Sequence, residues 1–177
     1  MGYICKPRFY KVATLRGIIS ALTFIGVVFH EYGHKLFCDL TGVKVIKVRY
    51  FRFGNPAGYV IHERPKKFLQ SFFVVMGPFI TGVVFSLTFY FISKSFSWQE
   101  WPKYLFIWLG ASVAMNSFPS NQDASNLWKD ANRHITKSFF AVLGYPFVFV
   151  IWIANSLQIF WIDLIYAGFL YYWVDRF

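Results

Sequence analysis

Residues 17–34 read GIISALTFIGVVFHEYGH, an uncharged and largely apolar run over 17–29 followed by His30-Glu31-Tyr32-Gly33-His34. The run has the character of a helix entering a bilayer, and its last five residues place ionisable groups inside it. On a helix, positions i and i+4 share one face, so His30 and His34 can present two imidazole nitrogens to one zinc ion, with Glu31 beside a metal-bound water. Charge at that depth is costly in lipid, which marks the group as a functional site rather than scattered hydrogen-bonded structure. Gly17, Ser20, Ala21, Gly26 and Gly33 could let neighbouring helices approach this one closely, a packing role preferred for all of them but Gly33.

Composition supports the membrane setting. Of 177 residues, 56% are hydrophobic and 23% aromatic, and the mean hydropathy is +0.43. These values exclude an ordinary soluble domain. A net charge of +10 would suggest nucleic acid in a soluble protein. Here the lysines and arginines fall between apolar spans, where they set topology and meet anionic lipid, so the expected partner is the lipid bilayer and not nucleic acid. Cys5 and Cys38 are too few and too far apart for a disulfide framework. Cys38, four residues beyond His34, is expected as a small buried apolar residue. The basic N-terminus before 17–29 resembles a signal peptide, but no small-residue cleavage site follows, so a retained first span is expected. Lys6 stands where N-myristoylation needs Ser or Thr.

Taken in order, the first span covers 17–37. Residues 43–63 alternate, shift phase at Ile46, and turn at Gly54-Asn55-Pro56-Ala57-Gly58 before Tyr59-Val60-Ile61, the pattern of a β-hairpin with bulges. Its role is either a basic lip on the membrane or an edge to which an extended segment adds. The second span, 68–92, contains Gly77-Pro78, which kinks a helix. The third, 104–118, is short: 15 residues cover roughly 22 Å, against a hydrocarbon core of about 30 Å. The polar stretch 116–124 therefore stays at membrane depth, which is allowed only inside protein or along a wet cavity. Asp123 within it is the natural third metal ligand; alternatively, Pro119 ends the helix and Asp123 caps the next, over 124–134. Residues 139–174 are too long for one span and break at 155–158. Asp163 is assigned no chemistry. The expectation is an all-α polytopic membrane protein of one domain, 1–177. It has about five transmembrane helices, a β-hairpin after the first, a catalytic core over about 17–134 and a C-terminal helical hairpin over about 139–174.

Five crossings put the exits of the first and third spans on one side, so His30, His34 and Asp123 lie at similar depth. Six basic residues (Lys6, Arg8, Lys11, Arg16, Lys94 and Lys103) then face one side and 12 the other. By the positive-inside rule the hairpin and site face the cytoplasm.

These residues resemble the site-2 protease family of intramembrane zinc metalloproteases. The resemblance rests on His30-Glu31-Tyr32-Gly33-His34 on a membrane helix, the hairpin after it, Gly77-Pro78, and Asn116-x-x-Pro119 leading to Asp123, and it covers about residues 17–124. It implies one zinc ion per chain held by His30, His34 and Asp123, with Glu31 as general base. Asn116 would help hold substrate or the developing oxyanion. The substrate would be a transmembrane protein, cut in or near its membrane segment. The segments between spans are too short for a separate recognition domain, and the sequence sets no oligomeric state.

Two other functions start from the same residues. His30-x-x-x-His34 also suits a membrane di-iron site, but such sites need many histidines and this chain has four. The other is a non-catalytic relative that binds a transmembrane partner; it is motivated by Gln122-Asp123-Ala124, where the family has Leu-Asp-Gly and one more residue after the proline. The intact Glu31 opposes it. Should Asp123 not be the third ligand, His62, His134 or Glu63 could replace it.

Overall fold

The computed structural model describes residues 3–5, 15–54, 56–136 and 138–177. In chain order the elements are β1 (Tyr3–Cys5), α1 (Leu15–Leu22), α2 (Phe24–Thr41), β2 (Val45–Arg49), β3 (Tyr59–His62), α3 (Phe68–Ser93), α4 (Trp101–Met115), α5 (Asn121–His134), α6 (Phe139–Leu157) and α7 (Ile162–Arg176). The chain is mostly helical with one small sheet. Lys6, Arg8 and Lys11 of the N-terminal basic group, and the Cys5 side chain, lie outside the described residues.

The first span is two helices rather than one. The break is at Thr23 (φ −100°, ψ 25°), and side chains of α4 and its C-cap take up carbonyls beside it. Trp108 Nε1 donates to the Leu22 carbonyl at 3.1 Å, and Asn116 Nδ2 to that of Thr23 at 3.2 Å. A carbonyl left by a helix break among apolar side chains needs such a donor. At its other end α2 stops because Gly42 adopts the left-handed conformation (φ 71°). The Gly42 and Val43 N–H groups then close back on the Asp39 and Cys38 carbonyls at 3.2 and 2.8 Å.

The expected hairpin is present as β2 and β3, paired antiparallel from Val45↔His62 to Arg49↔Tyr59, with a bulge between Val45 and Lys47 where the alternation shifts phase. A third strand joins it: β1 pairs antiparallel with β3, giving the order β1-β3-β2. The three residues of β1 are too few for alternation to announce a strand.

Helices α3 and α6 are each long and apolar enough to cross a membrane. The other three expected spans do not reach that standard. Helices α4 and α7 have 15 residues each, roughly 22 Å, and α2 carries Glu31, Lys35 and Asp39 within its length. Large apolar side chains stand exposed on α3 (Val84, Phe91), α6 (Phe149, Val150, Ile153) and α7 (Ile165, Phe169).

Two buried clusters hold the helices. Phe68 and Val75 of early α3 pack with Ala124, Leu127 and Ala131 of α5 and with Ala141, Val148 and Ile151 of α6. Tyr90 at the far end of α3 packs with Ala114 of α4 and with Ala167, Leu170 and Val174 of α7. Between them α2 crosses α3 at two glycines. A Cβ on Gly33 would lie 2.5 Å from Thr81 Oγ1 and 2.7 Å from Pro78 Cα, and one on Gly77 would lie 2.7 Å from the Gly33 carbonyl oxygen. That close crossing brings the His30–His34 face of α2 against α3. As expected, α6 ends within 155–158, at Leu157, and after one tight turn the chain reverses at Trp161 in the left-handed region (φ 60°).

Candidate metal centre

His30 and His34 stand one turn apart on the buried face of α2, and Asp123 projects from the first turn of α5. The two Nε2 atoms are 3.2 Å apart. Asp123 Oδ2 lies 3.9 Å from His30 Nε2 and 3.5 Å from His34 Nε2. Among the described residues this trio could hold a metal ion, each offering one ligand atom. Three donors bound tetrahedrally to a common ion at about 2.0–2.1 Å are separated by about 3.4 Å, so the spacing suits an ion without rearrangement.

Each donor is aimed by a backbone feature. His34 Nδ1 donates to the Val74 carbonyl at 2.8 Å. In a regular helix that carbonyl would accept the N–H of residue 78, but residue 78 is proline and has none. The interruption in α3 thus frees the acceptor that orients His34. His30 Nδ1 donates to the carbonyl of Asn116 at 2.8 Å, the C-cap of α4, where carbonyls have lost their helical donors. With both Nδ1 atoms donating, each neutral ring turns an Nε2 lone pair inward. Two lone pairs facing each other at 3.2 Å repel unless a cation or proton sits between them, so the trio could hold a metal ion. Asp123 is fixed by its own helix start: Ser120 is the N-cap of α5, and its N–H and Oγ–H donate to Asp123 Oδ2 at 2.7 and 2.6 Å. The helix starts at Asn121 rather than 124, and its N-cap is Ser120, so Asp123 is the third helical residue, returning a carboxylate to the Ser120 N–H rather than capping the helix itself.

Glu31 lies on the same helix beside the trio and in the electrostatic field of His34 and Asp123. Its side chain is 0% exposed, and neither carboxylate oxygen has a hydrogen-bond partner among the described residues. A buried carboxylate without partners is costly, which points to a molecule or ion that completes the site. Backbone of the hairpin lies directly over it: a Cβ on Gly58 would be 2.6 Å from Glu31 Cγ. His30, His34 and Asp123 are at most 5% exposed, so the centre is buried.

No family model, curated protein or solved structure matches the chain.

The remaining candidates fall elsewhere. Asn116 is at the centre through its carbonyl alone. Its carboxamide Nδ2 is committed to the Thr23 carbonyl, Thr23 Oγ1 and the Ser112 carbonyl at 3.2, 3.3 and 2.9 Å. It orients His30 and ties α4 to the α1–α2 break, a different job from the substrate contact that the resemblance implies. His62 of β3 is buried, with Nδ1 at 2.7 Å from the Glu63 carbonyl. Burial holds its pKa below the ordinary imidazole value, and Asp123 and Asp130 act on it from α5. His134 bridges the Asp130 and Lys66 carbonyls at 2.9 and 3.1 Å, and Glu63 pairs with Lys44 at 3.5 Å on the surface. Neither joins the metal group. Cys38 is buried with Val43 and Val74, as expected. Asp163 opens α7 and donates no ligand to the trio. Sequence reasoning missed Ser120, although Ser-x-x-Asp before a helix is a readable capping pattern. It also missed Val74, whose only signal is that it stands four residues before a proline.

Proposed function

We propose that the protein is an intramembrane zinc metalloprotease of the site-2 type, hydrolysing a peptide bond in or near a transmembrane segment of a membrane protein. The observation that carries the reading is the convergence of two inward imidazole lone pairs and the Asp123 carboxylate beside a buried, unpartnered Glu31. Zinc is preferred because it takes three N/O ligands, leaves a fourth position for water, lowers that water's pKa to near 7 and polarises a carbonyl. Glu31 then takes the proton of the attacking water on its carboxylate and passes it to the nitrogen of the leaving amine. His30 and His34 keep their tautomers through the Asn116 and Val74 carbonyls, so neither has to turn during the reaction.

A substrate helix hides its peptide bonds and has to unwind before attack. Strand β2 ends the sheet order, and its outer edge offers main-chain hydrogen bonds to such an unwound segment. In this reading α1–α2, α3, α4, α6 and α7 make five crossings of the bilayer. The exposed apolar faces of α3, α6 and α7 then meet lipid, and the exposed Lys44, Lys47, Arg49, Lys66 and Lys67 face the cytoplasm. The short α4 leaves the 116–120 turn at membrane depth, where polar backbone is tolerated inside protein.

The test is incubation of the purified protein with a panel of single-span membrane proteins in vesicles, with and without chelator, beside Glu31→Gln. The reading expects cleavage that chelator stops, and a Glu31→Gln protein that retains zinc but does not cut. Cleavage by Glu31→Gln at the wild-type rate refutes the assigned base, and a wild-type protein that holds no zinc refutes the reading.

A further inference from the structure

Asn126 stands on α5 one turn beyond Asp123. At 100° per residue it lies about 60° round the helix from Asp123, on the side away from Ala124, Leu127 and Ala131, which face the α3–α6 core. Side chains on a helix lean towards its N-terminus, so the Asn126 carboxamide lies over the turn that carries Asp123. The hydrogen bond from Gln122 Nε2 to Asn126 Oδ1 at 3.1 Å holds it there and turns Nδ2 away from Gln122. Asn126 is 5% exposed, and its Nδ2 is buried without a hydrogen-bond acceptor among the described residues. Strand β1 packs on α5, and Asp123 and Asp130, before and after Asn126 in the helix, act electrostatically on His62 of β3.

An oriented amide N–H group buried without an acceptor is unfavourable unless a bound molecule supplies one. The acceptor that the protease reading brings is a main-chain carbonyl, because a membrane segment unwound for cleavage loses the helical donors of its carbonyls and finds no water to replace them. We propose that Asn126 Nδ2 donates to a main-chain carbonyl of the substrate beside the scissile bond; the assignment rests on the protease reading. The asparagine that meets the substrate is then Asn126, while Asn116 spends its carboxamide on helix packing. Gln122 is a positioning residue, acting through Asn126 Oδ1.

The experiment compares the full-length wild type with Asn126→Ala and Asn126→Ser on synthetic single-span peptides in lipid vesicles, reading kcat/KM, zinc content and Tm. Because Nδ2 makes no bond with the described residues, zinc content is expected at the wild-type value, and Tm should fall only by the small loss of the Gln122 bond to Oδ1. Asn126→Ala should lose about fivefold in kcat/KM, the worth of one hydrogen bond of ordinary strength. Asn126→Ser, which keeps a shorter donor, should lose less. A thioamide, which accepts hydrogen bonds more weakly, placed in turn along the peptide should slow the wild type at one carbonyl and leave Asn126→Ala unaffected there. A purely structural role would produce no such position. Wild-type kcat/KM in Asn126→Ala, loss of zinc or Tm in parallel with activity in both variants, or a thioamide profile identical in wild type and Asn126→Ala overturns the inference and leaves the protease reading intact. Absence of chelator-sensitive cleavage by the wild type overturns the reading itself.

Discussion

Replacing Pro78 with alanine separates the fold from the metal centre, because the two should respond in opposite directions. A proline inside a helix costs about 3 kcal/mol relative to alanine, so Pro78→Ala should leave Tm unchanged or raise it. The new N–H, however, finds the Val74 carbonyl four residues back, where His34 Nδ1 now donates at 2.8 Å. If the helical bond displaces the imidazole, His34 loses one buried hydrogen bond worth about 1 kcal/mol, or about fivefold in metal affinity. That lies just below the range of about 10–100-fold typical of losing an outer-shell partner of a metal ligand. Gly33 packs on the Pro78 backbone, and removing the ring adds no atom to that crossing. The assay is zinc competition against a chromophoric chelator in detergent, with Tm measured on the same samples. Weaker zinc with equal or higher Tm is expected. Unchanged zinc affinity would refute the claim that the proline sets His34.

Other substitutions probe the same arrangement. Gly33→Ala puts a Cβ 2.5 Å from Thr81 Oγ1 and 2.7 Å from Pro78 Cα, and should lower stability by about 1–3 kcal/mol, seen as a fall in Tm. Gly58→Ala drives a Cβ into Glu31 Cγ; it should retain zinc and lose most cleavage, measured on the vesicle assay. Ser120→Ala removes both the α5 cap and the Oγ donor to Asp123 Oδ2, costing about 1 kcal/mol of stability together with weaker zinc. His62, with its pKa lowered by burial, is neutral in both folded and unfolded chains above about pH 6.5. Below that value the unfolded chain takes a proton that the folded chain refuses, so stability falls with acid. Part of that acid loss should vanish in His62→Gln, read from Tm between pH 7.5 and 5.

The readable parts of the chain were those where one short pattern determines one geometry. His30 and His34 share a face because four residues make about one turn, and the phase shift at Ile46 appears as the bulge in β2. The break within 155–158 falls where polar residues interrupt an apolar run. What could not be read depends on partners distant in sequence. Helix α1 separates from α2 at Thr23 because Trp108 and Asn116 can take the carbonyls there, and nothing near residue 23 announces them. The resemblance implies a substrate contact for Asn116, yet three acceptors from the α1–α2 break and α4 claim its carboxamide. Gly77-Pro78 was legible as a kink, but that the freed carbonyl faces His34 depends on how α2 crosses α3. Spacing alone made Asp123 a candidate cap for a helix from 124; the cap is instead Ser120, three residues earlier, and one Asp123 carboxylate oxygen accepts from Ser120 while lying 3.5 Å from His34 Nε2.

The account turns on one ion held by His30, His34 and Asp123. Zinc X-ray absorption on the purified wild type, with metal content measured on the same sample and on Asp123→Ala, tests that directly. The expected result is one zinc per chain with two imidazole nitrogens and oxygen ligands at about 2.0–2.2 Å, and a marked loss of zinc in Asp123→Ala. A wild-type chain without zinc, or an Asp123→Ala chain with the same shell and full occupancy, would contradict it.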